Sequence, residues 1–105
     1  MSLGSTSQSK LSESSFNETR QQIQKAVEAG ILVVCSAGNS GHKFPGDEFG
    51  YPGAFPETVN VAAVEFEIED GDIGRVYFSN TNDEVDVCAD GWNVLSAVNS
   101  GDKGL

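Results

Sequence analysis

The spacing of apolar residues predicts one helix near the start of the chain. Apolar side chains recur there at intervals of three, four and seven, at Phe16, Ile23, Ala26 and Val27. Residues 15–18 have the form of a capping box, with a serine hydroxyl at the cap and a glutamate three positions later. Gly30 suits the left-handed residue that ends many helices. We therefore expect a helix from Ser15 to about Ala29.

A buried strand is predicted immediately after this helix. Residues 31–35, Ile-Leu-Val-Val-Cys, are apolar throughout and partly β-branched, which is typical of a strand covered on both faces in a parallel sheet. An acidic turn containing glycine at residues 69–72 predicts a hairpin. Further strands are predicted at residues 59–64, 65–68, 73–78, 85–88 and 93–96.

The order of these elements indicates the α/β fold class. A helix that leads directly into a buried strand is the second half of a β-α-β unit. Only residues 1–3 could supply the end of its first strand, and the chain stops shortly after a strand-like segment. We expect a partial three-layer sandwich with a mostly parallel sheet, truncated at both ends. A length of 105 residues fits one small domain or part of a larger one.

The charge of the chain excludes two classes of partner. There are 16 Asp and Glu residues against 6 Lys and Arg residues, which gives a formal net charge of -10. Such a charge repels nucleic-acid phosphates and anionic membrane surfaces. No apolar stretch approaches the roughly 18 residues that a membrane-spanning helix requires. We expect no nucleic acid and no membrane as partners.

The two cysteines indicate a reducing compartment. Cys35 and Cys88 lie far apart in apolar strings, and neither belongs to a C-x-x-C pair. The single histidine cannot complete a zinc site with them. Both are predicted to be buried free thiols, which favours a cytoplasmic location. Secretion is the alternative.

The loop after the first predicted strand is a candidate for chemistry. Residues 36–41, Ser-Ala-Gly-Asn-Ser-Gly, follow the carboxyl end of a strand, where open α/β sheets bind ligands. Glycines on both sides of Asn39 let the backbone turn sharply and present the side-chain amide, which is a good donor to a developing oxyanion. The same pattern is typical of an ordinary Asn-Gly turn. Spacing alone leaves both interpretations open.

Longer motifs surround this loop. They are residues 26–41 (AVEAGILVVCSAGNSG), 51–64 (YPGAFPETVNVAAV), 78–80 (FSN), 85–89 (VDVCA) and 91–96. In this order and at these distances the motifs resemble the subtilisin family of serine peptidases. Residues 1–4 are similar to the strand that borders the substrate cleft in that family. The Val-Val-Cys form of residues 33–35 resembles the intracellular bacterial branch most.

The resemblance implies that this chain carries one catalytic group and part of a peptide-binding cleft. Asn39 matches the side-chain donor of the oxyanion hole. Gly50 matches the floor of the S1 pocket, which receives a substrate side chain, and Pro52 matches a proline that the family holds in the cis form. The other implied substrate-binding residues are Ser2, Leu3 and Gly4, which pair with an extended substrate; Ser36, Ala37 and Gly38, which form one wall of the S1 pocket; and Ser40 at its rim.

The resemblance also implies that the catalytic triad lies outside this chain. The family's Asp and His precede the strand that residues 1–4 resemble, and its nucleophilic Ser would follow Leu105. His42 is assigned to a surface loop without a catalytic role. We expect residues 1–105 to be a central-to-C-terminal fragment of a subtilisin-like serine endopeptidase domain, inactive in isolation. The alternative is a catalytically inert binding or assembly module derived from such a domain.

No cofactor and no metal site is assigned. Asp47, Glu48 and the acidic residues between 65 and 72 are predicted to form a solvated face. The resemblance leaves open one weak structural cation site near residues 52–59. The expected partner is an extended peptide substrate in the parent enzyme. Self-association of the chain is also expected, because missing neighbours would leave apolar surface and unpaired sheet edges exposed.

Overall fold

The computed structural model describes residues 1–2, 4–5, 12–41, 48–66, 71–98 and 103–104. Within those ranges, one helix precedes six strands. The elements are α1 (Glu13–Glu28), β1 (Val34–Ser36), β2 (Val59–Phe66), β3 (Ile73–Arg75), β4 (Val87–Asp90), β5 (Ser96–Ala97) and β6 (Lys103–Gly104). No helix in the described part of the chain is long and apolar enough to cross a membrane.

The helix begins one turn earlier than the capping box predicted. Its N-cap is Ser12, whose hydroxyl accepts a hydrogen bond from the Ser15 N–H at 3.2 Å. Ser15 therefore lies inside α1 instead of capping it. The prediction was wrong because residues 12–15 contain three serines, and a cap hydroxyl is available one turn before the box.

The end of the helix agrees with the sequence. Gly30 has a φ of 84° and follows the C-cap residue Ala29. The Gly30 N–H donates to the Val27 carbonyl at 3.0 Å, and the Ile31 N–H donates to the Ala26 carbonyl at 3.0 Å. These two bonds form a Schellman motif, which satisfies the last carbonyls of the helix and turns the chain toward β1.

The sheet is mostly parallel, with β2 as its central strand. β2 pairs in parallel with β1, where Val34 lies opposite Val59, and with β4, where Ala62 lies opposite Cys88. Its pairing with β3 is antiparallel, which confirms the predicted hairpin. β5 and β6 form a separate antiparallel pair. The α/β class is therefore correct.

Several strand boundaries differ from the predictions. β2 joins the strands predicted at residues 59–64 and 65–68 into one strand that reaches Phe66. β3 ends at Arg75 because the chain turns at Tyr77 and Phe78. The strand predicted at residues 85–88 lies at Val87–Asp90. The strand predicted at residues 93–96 begins only at Ser96, since Asn93 has a φ of 52°. Part of the predicted turn at residues 69–72 lies outside the described residues.

The prediction that β1 is buried on both faces was wrong. β1 comprises three residues, of which only Cys35 is buried, while Ile31 and Leu32 before it are 57% and 74% exposed. The Schellman turn occupies the start of the apolar run, so the strand begins late. Among the described residues no second layer covers the outer side of β1. Cys88 on β4 is likewise exposed, although both cysteines are free thiols as predicted.

The N-terminal segment extends the sheet beyond β1. The Met1 amino group donates to the Val34 carbonyl, and the Ser36 N–H donates to the Met1 carbonyl at 3.0 Å. This alternation is the pattern of a parallel ladder. Ser5 and Tyr51 then exchange two backbone hydrogen bonds, of 2.8 and 2.9 Å. The segment is thereby held between β1 and the Gly50–Tyr51 stretch.

Two contacts join α1 to the loop that precedes β2. Phe16 on the helix packs against Tyr51 and Phe55, with ring centroids 4.9 Å away in both cases. Arg20 makes two side-chain hydrogen bonds to one carboxylate oxygen of Glu57, at 2.9 and 3.0 Å, and one to the other at 3.3 Å. The Arg20 guanidinium lowers the pKa of the Glu57 carboxyl, with Gln24 adding to the effect and partial burial opposing it.

We predict that Glu57→Gln lowers the unfolding free energy at pH 7 by about 0.5–1 kcal/mol, because Arg20 is partly solvated. Since the pKa of Glu57 is lowered by folding, its contribution is complete above the ordinary glutamate pKa and is lost as pH falls through the folded-state value. Urea unfolding at a series of pH values measures this. Glu18→Gln, at an exposed position of the same helix, controls for the change in net charge. The prediction would be contradicted if the difference in unfolding free energy between Glu57→Gln and the unsubstituted chain stayed constant as Glu57 became protonated.

Candidate active-site cleft

A cleft of about 260 Å³ lies where three separate segments meet. These are the N-terminal segment, the loop that follows β1, and the residues before the Tyr51–Pro52 bond. The lining residues are Ser2, Gly4, Ser5, Ser36, Gly38, Asn39, Ser40, Gly50 and Tyr51. The cleft thus lies at the carboxyl end of a parallel strand, where α/β sheets bind ligands.

Most residues that the sequence nominated are brought together in this cleft. Ser2, Gly4, Ser36, Gly38, Asn39, Ser40 and Gly50 line it, although they come from positions as far apart as 2 and 50. Ala37 lies beneath the surface of the loop and is buried. Leu3, His42 and Asp47 lie outside the described residues. Ser5 and Tyr51 also line the cleft but were not predicted as site residues, although Tyr51 begins the Tyr-Pro-Gly motif.

The position of Ser40 differs from the expectation. Ser40 lines the cleft but is only 3% exposed, so it belongs to the wall and not to an open rim. Its N–H points inward and donates to Oδ1 of the buried Asn80 at 2.8 Å. Asn39, by contrast, is exposed, and its side chain makes no hydrogen bond to any residue that the structure describes. Its amide is therefore available to a ligand in the cleft.

Two glycines allow the loop to follow this path. Gly38 has a φ of 107°, and a Cβ there would lie 2.5 Å from Nδ2 of Asn80. A Cβ on Gly50 would lie 2.4 Å from the Ala37 carbonyl oxygen. Both distances are shorter than a Cβ atom keeps from a neighbouring nitrogen or oxygen atom. Any side chain at these positions would push the loop or the cleft floor out of place.

Asn80 supports the loop from below. Its side-chain Nδ2 donates to the Ala37 carbonyl at 2.8 Å, in addition to the bond that Oδ1 accepts from Ser40. The Asn80 backbone N–H also donates to the Gly38 carbonyl at 3.0 Å. Three hydrogen bonds therefore join one residue to both sides of Asn39. The sequence signalled Asn80 only as part of the Phe-Ser-Asn motif.

The loop that follows the cleft contains the cis peptide bond that the resemblance implied, between Tyr51 and Pro52. The Thr58 hydroxyl donates to the Gly53 carbonyl at 2.7 Å and lies 3.0 Å from the Phe55 carbonyl oxygen. These loop oxygens already have a partner within the chain. Among the residues described, no three His, Cys, Asp or Glu side chains are grouped to hold a metal ion. The weak cation site near residues 52–59 stays a prediction.

Cys35 lies on β1 directly before the cleft loop. Burial raises the pKa of its thiol, and the nearby Met1 amino group opposes that shift. The thiol therefore remains protonated at neutral pH. A protonated, buried thiol is a packing group and a poor nucleophile.

Comparison with known proteins identifies the class of protein that this fold and cleft define. A sequence model of the subtilase family of peptidases matches residues 1–104. An intracellular serine protease of Paenibacillus polymyxa is 41% identical over 85 residues, which cover 80% of this chain and 24% of that protein. The minor extracellular protease Epr of Bacillus subtilis is 38% identical over 96 residues, or 91% of this chain and 13% of that protein.

Solved structures agree with the sequence comparison. Sphericase superposes with a TM-score of 0.76 at 26% identity, over 99% of this chain and 34% of that structure. The chain belongs to the subtilase family. It spans about a quarter or less of the length of the curated relatives named above, at 24% and 13%. These relatives include both an intracellular and an extracellular protease.

We predict that Gly38→Ala destabilises the chain more than Gly30→Ala does. Both residues have positive φ, of 107° and 84°, but nothing lies within 4 Å of a Cβ at Gly30. Gly30→Ala should therefore cost about 1–2 kcal/mol, the cost of left-handed backbone alone. Gly38→Ala should cost about 1–3 kcal/mol more, because Asn80 must move. Urea unfolding of the two variants measures the difference, and equal costs would contradict the packing at Gly38.

Proposed function

We propose that this chain forms the oxyanion side of the substrate cleft in a subtilisin-like serine endopeptidase. The observation that carries the proposal is the exposed amide of Asn39, held on a loop at the carboxyl end of β1 beside the N-terminal segment. In peptide hydrolysis the carbonyl oxygen gains negative charge as the tetrahedral intermediate forms. A preorganised amide aimed at that oxygen stabilises the transition state more than the bound substrate.

Each part of the cleft has a role in this proposal. Asn39 donates to the oxyanion. Residues 2–4 pair with the extended substrate backbone by adding a strand. Ser36, Gly38 and Ser40 form one wall of the S1 pocket, with the buried Ala37 behind them. Gly50 forms the floor, where the absence of a side chain lets the chain pass close to the Ala37 carbonyl. The nucleophile and the general base come from outside residues 1–105.

We predict that Asn39→Ala lowers kcat far more than it raises KM in an active protein that contains this chain. Residues 1–105 would replace the matching segment of a catalytically complete subtilase, and a chromogenic peptide anilide would report turnover. Loss of this donor lowers kcat in subtilisin itself by about 10²–10³, and we expect a loss of the same order here. Asn39→Asp should also lower kcat, because a carboxylate of similar shape cannot donate to the oxyanion.

Two controls accompany this test. Asn17→Ala, at an exposed position of α1, should leave kcat and KM unchanged. The unmodified 105-residue chain alone should neither cleave the peptide nor react with a fluorophosphonate probe, because it supplies no activated serine. Full activity in the Asn39→Ala chimera would remove Asn39 from the site. A serine labelled in the isolated chain would contradict the assignment of the nucleophile.

The alternative function is an inert binding or assembly module with the same scaffold. Exposed apolar side chains support this alternative, because they promote association. They are Ile31, Leu32, Val34, Val87 and Leu95. A module of this kind would bind extended peptides at the N-terminal segment without turning them over. A chimera that hydrolyses the anilide with an intact Asn39 would decide for the peptidase scaffold.

We also propose that the 105-residue chain self-associates. Burying about 1,200 Å² of these apolar side chains would form an interface of standard size. The net charge of -10 opposes contact, so association should strengthen as salt shortens the Debye length to about 8 Å at physiological ionic strength. Sedimentation equilibrium from micromolar to sub-millimolar protein tests this, and Leu32→Lys should weaken the association. A constant mass of 11.1 kDa at all concentrations and salts would contradict it.

We further infer a cytoplasmic location for the parent protein. Two free thiols and the similarity to an intracellular relative support this inference. Secretion is the alternative, since an extracellular protease is also among the relatives.

A further inference from the structure

We propose that Asn80 is the positioning residue of the oxyanion donor: its side-chain amide holds the loop on both sides of Asn39 and thereby sets the turnover rate. This inference rests on the proposed function of Asn39. Asn80 itself does not line the cleft and would not touch the substrate. It acts only through the backbone of the loop.

The geometry supports a two-point clamp. Oδ1 of Asn80 accepts from the Ser40 N–H, and Nδ2 donates to the Ala37 carbonyl, both at 2.8 Å. These loop residues precede and follow the Gly38–Asn39 pair, so the clamp spans the donor. Asn80 is 0% exposed, which means that water does not compete for either bond. The backbone around Asn39 is therefore restrained while its side chain remains exposed.

The clamp requires a group that donates and accepts at once. An amide presents both functions in one plane, whereas a carboxylate can only accept and a methyl group does neither. The space is closed on the loop side, because a Cβ at Gly38 or Gly50 would lie 2.5 or 3.4 Å from Nδ2. The amide thus fills the space between loop and cleft floor, and a shorter side chain leaves the Ser40 N–H without its partner.

Asn80 is in turn held by the sheet. The hydroxyl of the preceding residue, Ser79, accepts from the Ala63 N–H of β2 at 2.9 Å. Arg75 at the end of β3 donates to the Ser79 carbonyl at 2.6 Å. The bond from Ala63 fixes the position of Ser79, and thereby of Asn80, relative to the central strand of the sheet.

The clamp has a kinetic consequence. The oxyanion exists only in the transition state and the intermediate, so a misplaced Asn39 weakens transition-state binding and leaves substrate binding nearly intact. Loss of the Asn80 side chain should consequently lower kcat and not raise KM. A residue that merely stabilised the fold would change the melting temperature without this split.

The first test uses amide hydrogen exchange, measured by NMR on the 105-residue chain. In Asn80→Ala, exchange at Ser40 should rise at least tenfold relative to exchange at Ala37, whose N–H donates to the Val61 carbonyl and serves as the internal reference. In Asn80→Asp, the neutral acid can donate to Ala37 and accept from Ser40 as the amide does. The ionised carboxylate cannot donate to Ala37 but still accepts from the Ser40 N–H, so exchange at Ser40 should rise less in Asn80→Asp than in Asn80→Ala.

The second test uses the chimeric protease described above. Asn80→Ala should lower kcat at least tenfold with KM changed by less than about twofold. In the Asn39→Ala background the same substitution should cost almost nothing further, because Asn80 acts only through Asn39. Asn82→Ala is the matched control. Nδ2 of Asn82 donates to the Glu48 carbonyl at 2.7 Å, and Oδ1 accepts from the Glu84 N–H at 2.9 Å. Asn82 therefore also joins two backbone groups, but it does so away from Asn39.

The outcomes separate this inference from the proposed function. If Asn39→Ala leaves kcat unchanged, the proposed role of Asn39 fails and the kinetic part of the clamp fails with it. If Asn39→Ala lowers kcat but Asn80→Ala does not, or Asn80→Ala costs equally in both backgrounds, the clamp alone is wrong. If a chimera does not fold, the exchange measurement decides: unchanged protection of Ser40 in Asn80→Ala, or equally fast exchange of Ser40 in Asn80→Ala and Asn80→Asp, overturns the inference.

Discussion

The buried amide of Asn80 connects the sheet to the loop on which the candidate chemistry depends. It bonds the backbone on both sides of Asn39, at Ala37 and at Ser40, while Ser79 ties it to the central strand. These groups are shielded from water, so each bond is costly to leave unmade. The path of the loop follows from this constraint: it needs a positive φ at Gly38 and the absence of a side chain at Gly50.

The other two sides of the cleft depend on pairing between distant segments. The N-terminal segment continues the sheet beside β1 and then bonds to Tyr51, whose ring packs against Phe16 on the helix. Arg20 and Glu57 connect the same helix to the loop before β2. The helix therefore contributes no lining residue, but it orients the stretch that forms the cleft floor. This arrangement explains how residues between positions 2 and 51 enclose one space.

Local patterns predicted the elements whose causes are local. The end of α1 followed from Gly30, the mostly parallel sheet from the apolar run after a helix, and the hairpin from an acidic turn. The N-cap was misplaced because three serines compete for one role. The burial of β1 and Cys88 was overestimated, since an apolar run does not reveal whether a second layer covers it. Asn80 was missed because its partners lie up to 43 residues away and are adjacent only in the fold.

We propose that Asn39 donates to the oxyanion beside an N-terminal segment that pairs with the substrate. A crystal structure of the chimeric protease with a peptidyl boronate, which forms a tetrahedral adduct with the serine, tests it most directly. We expect Nδ2 of Asn39 at about 2.7–3.1 Å from a boronate oxygen, with the peptide paired alongside residues 2–4. A boronate oxygen bound by other donors, with Asn39 turned away from the adduct, would contradict it.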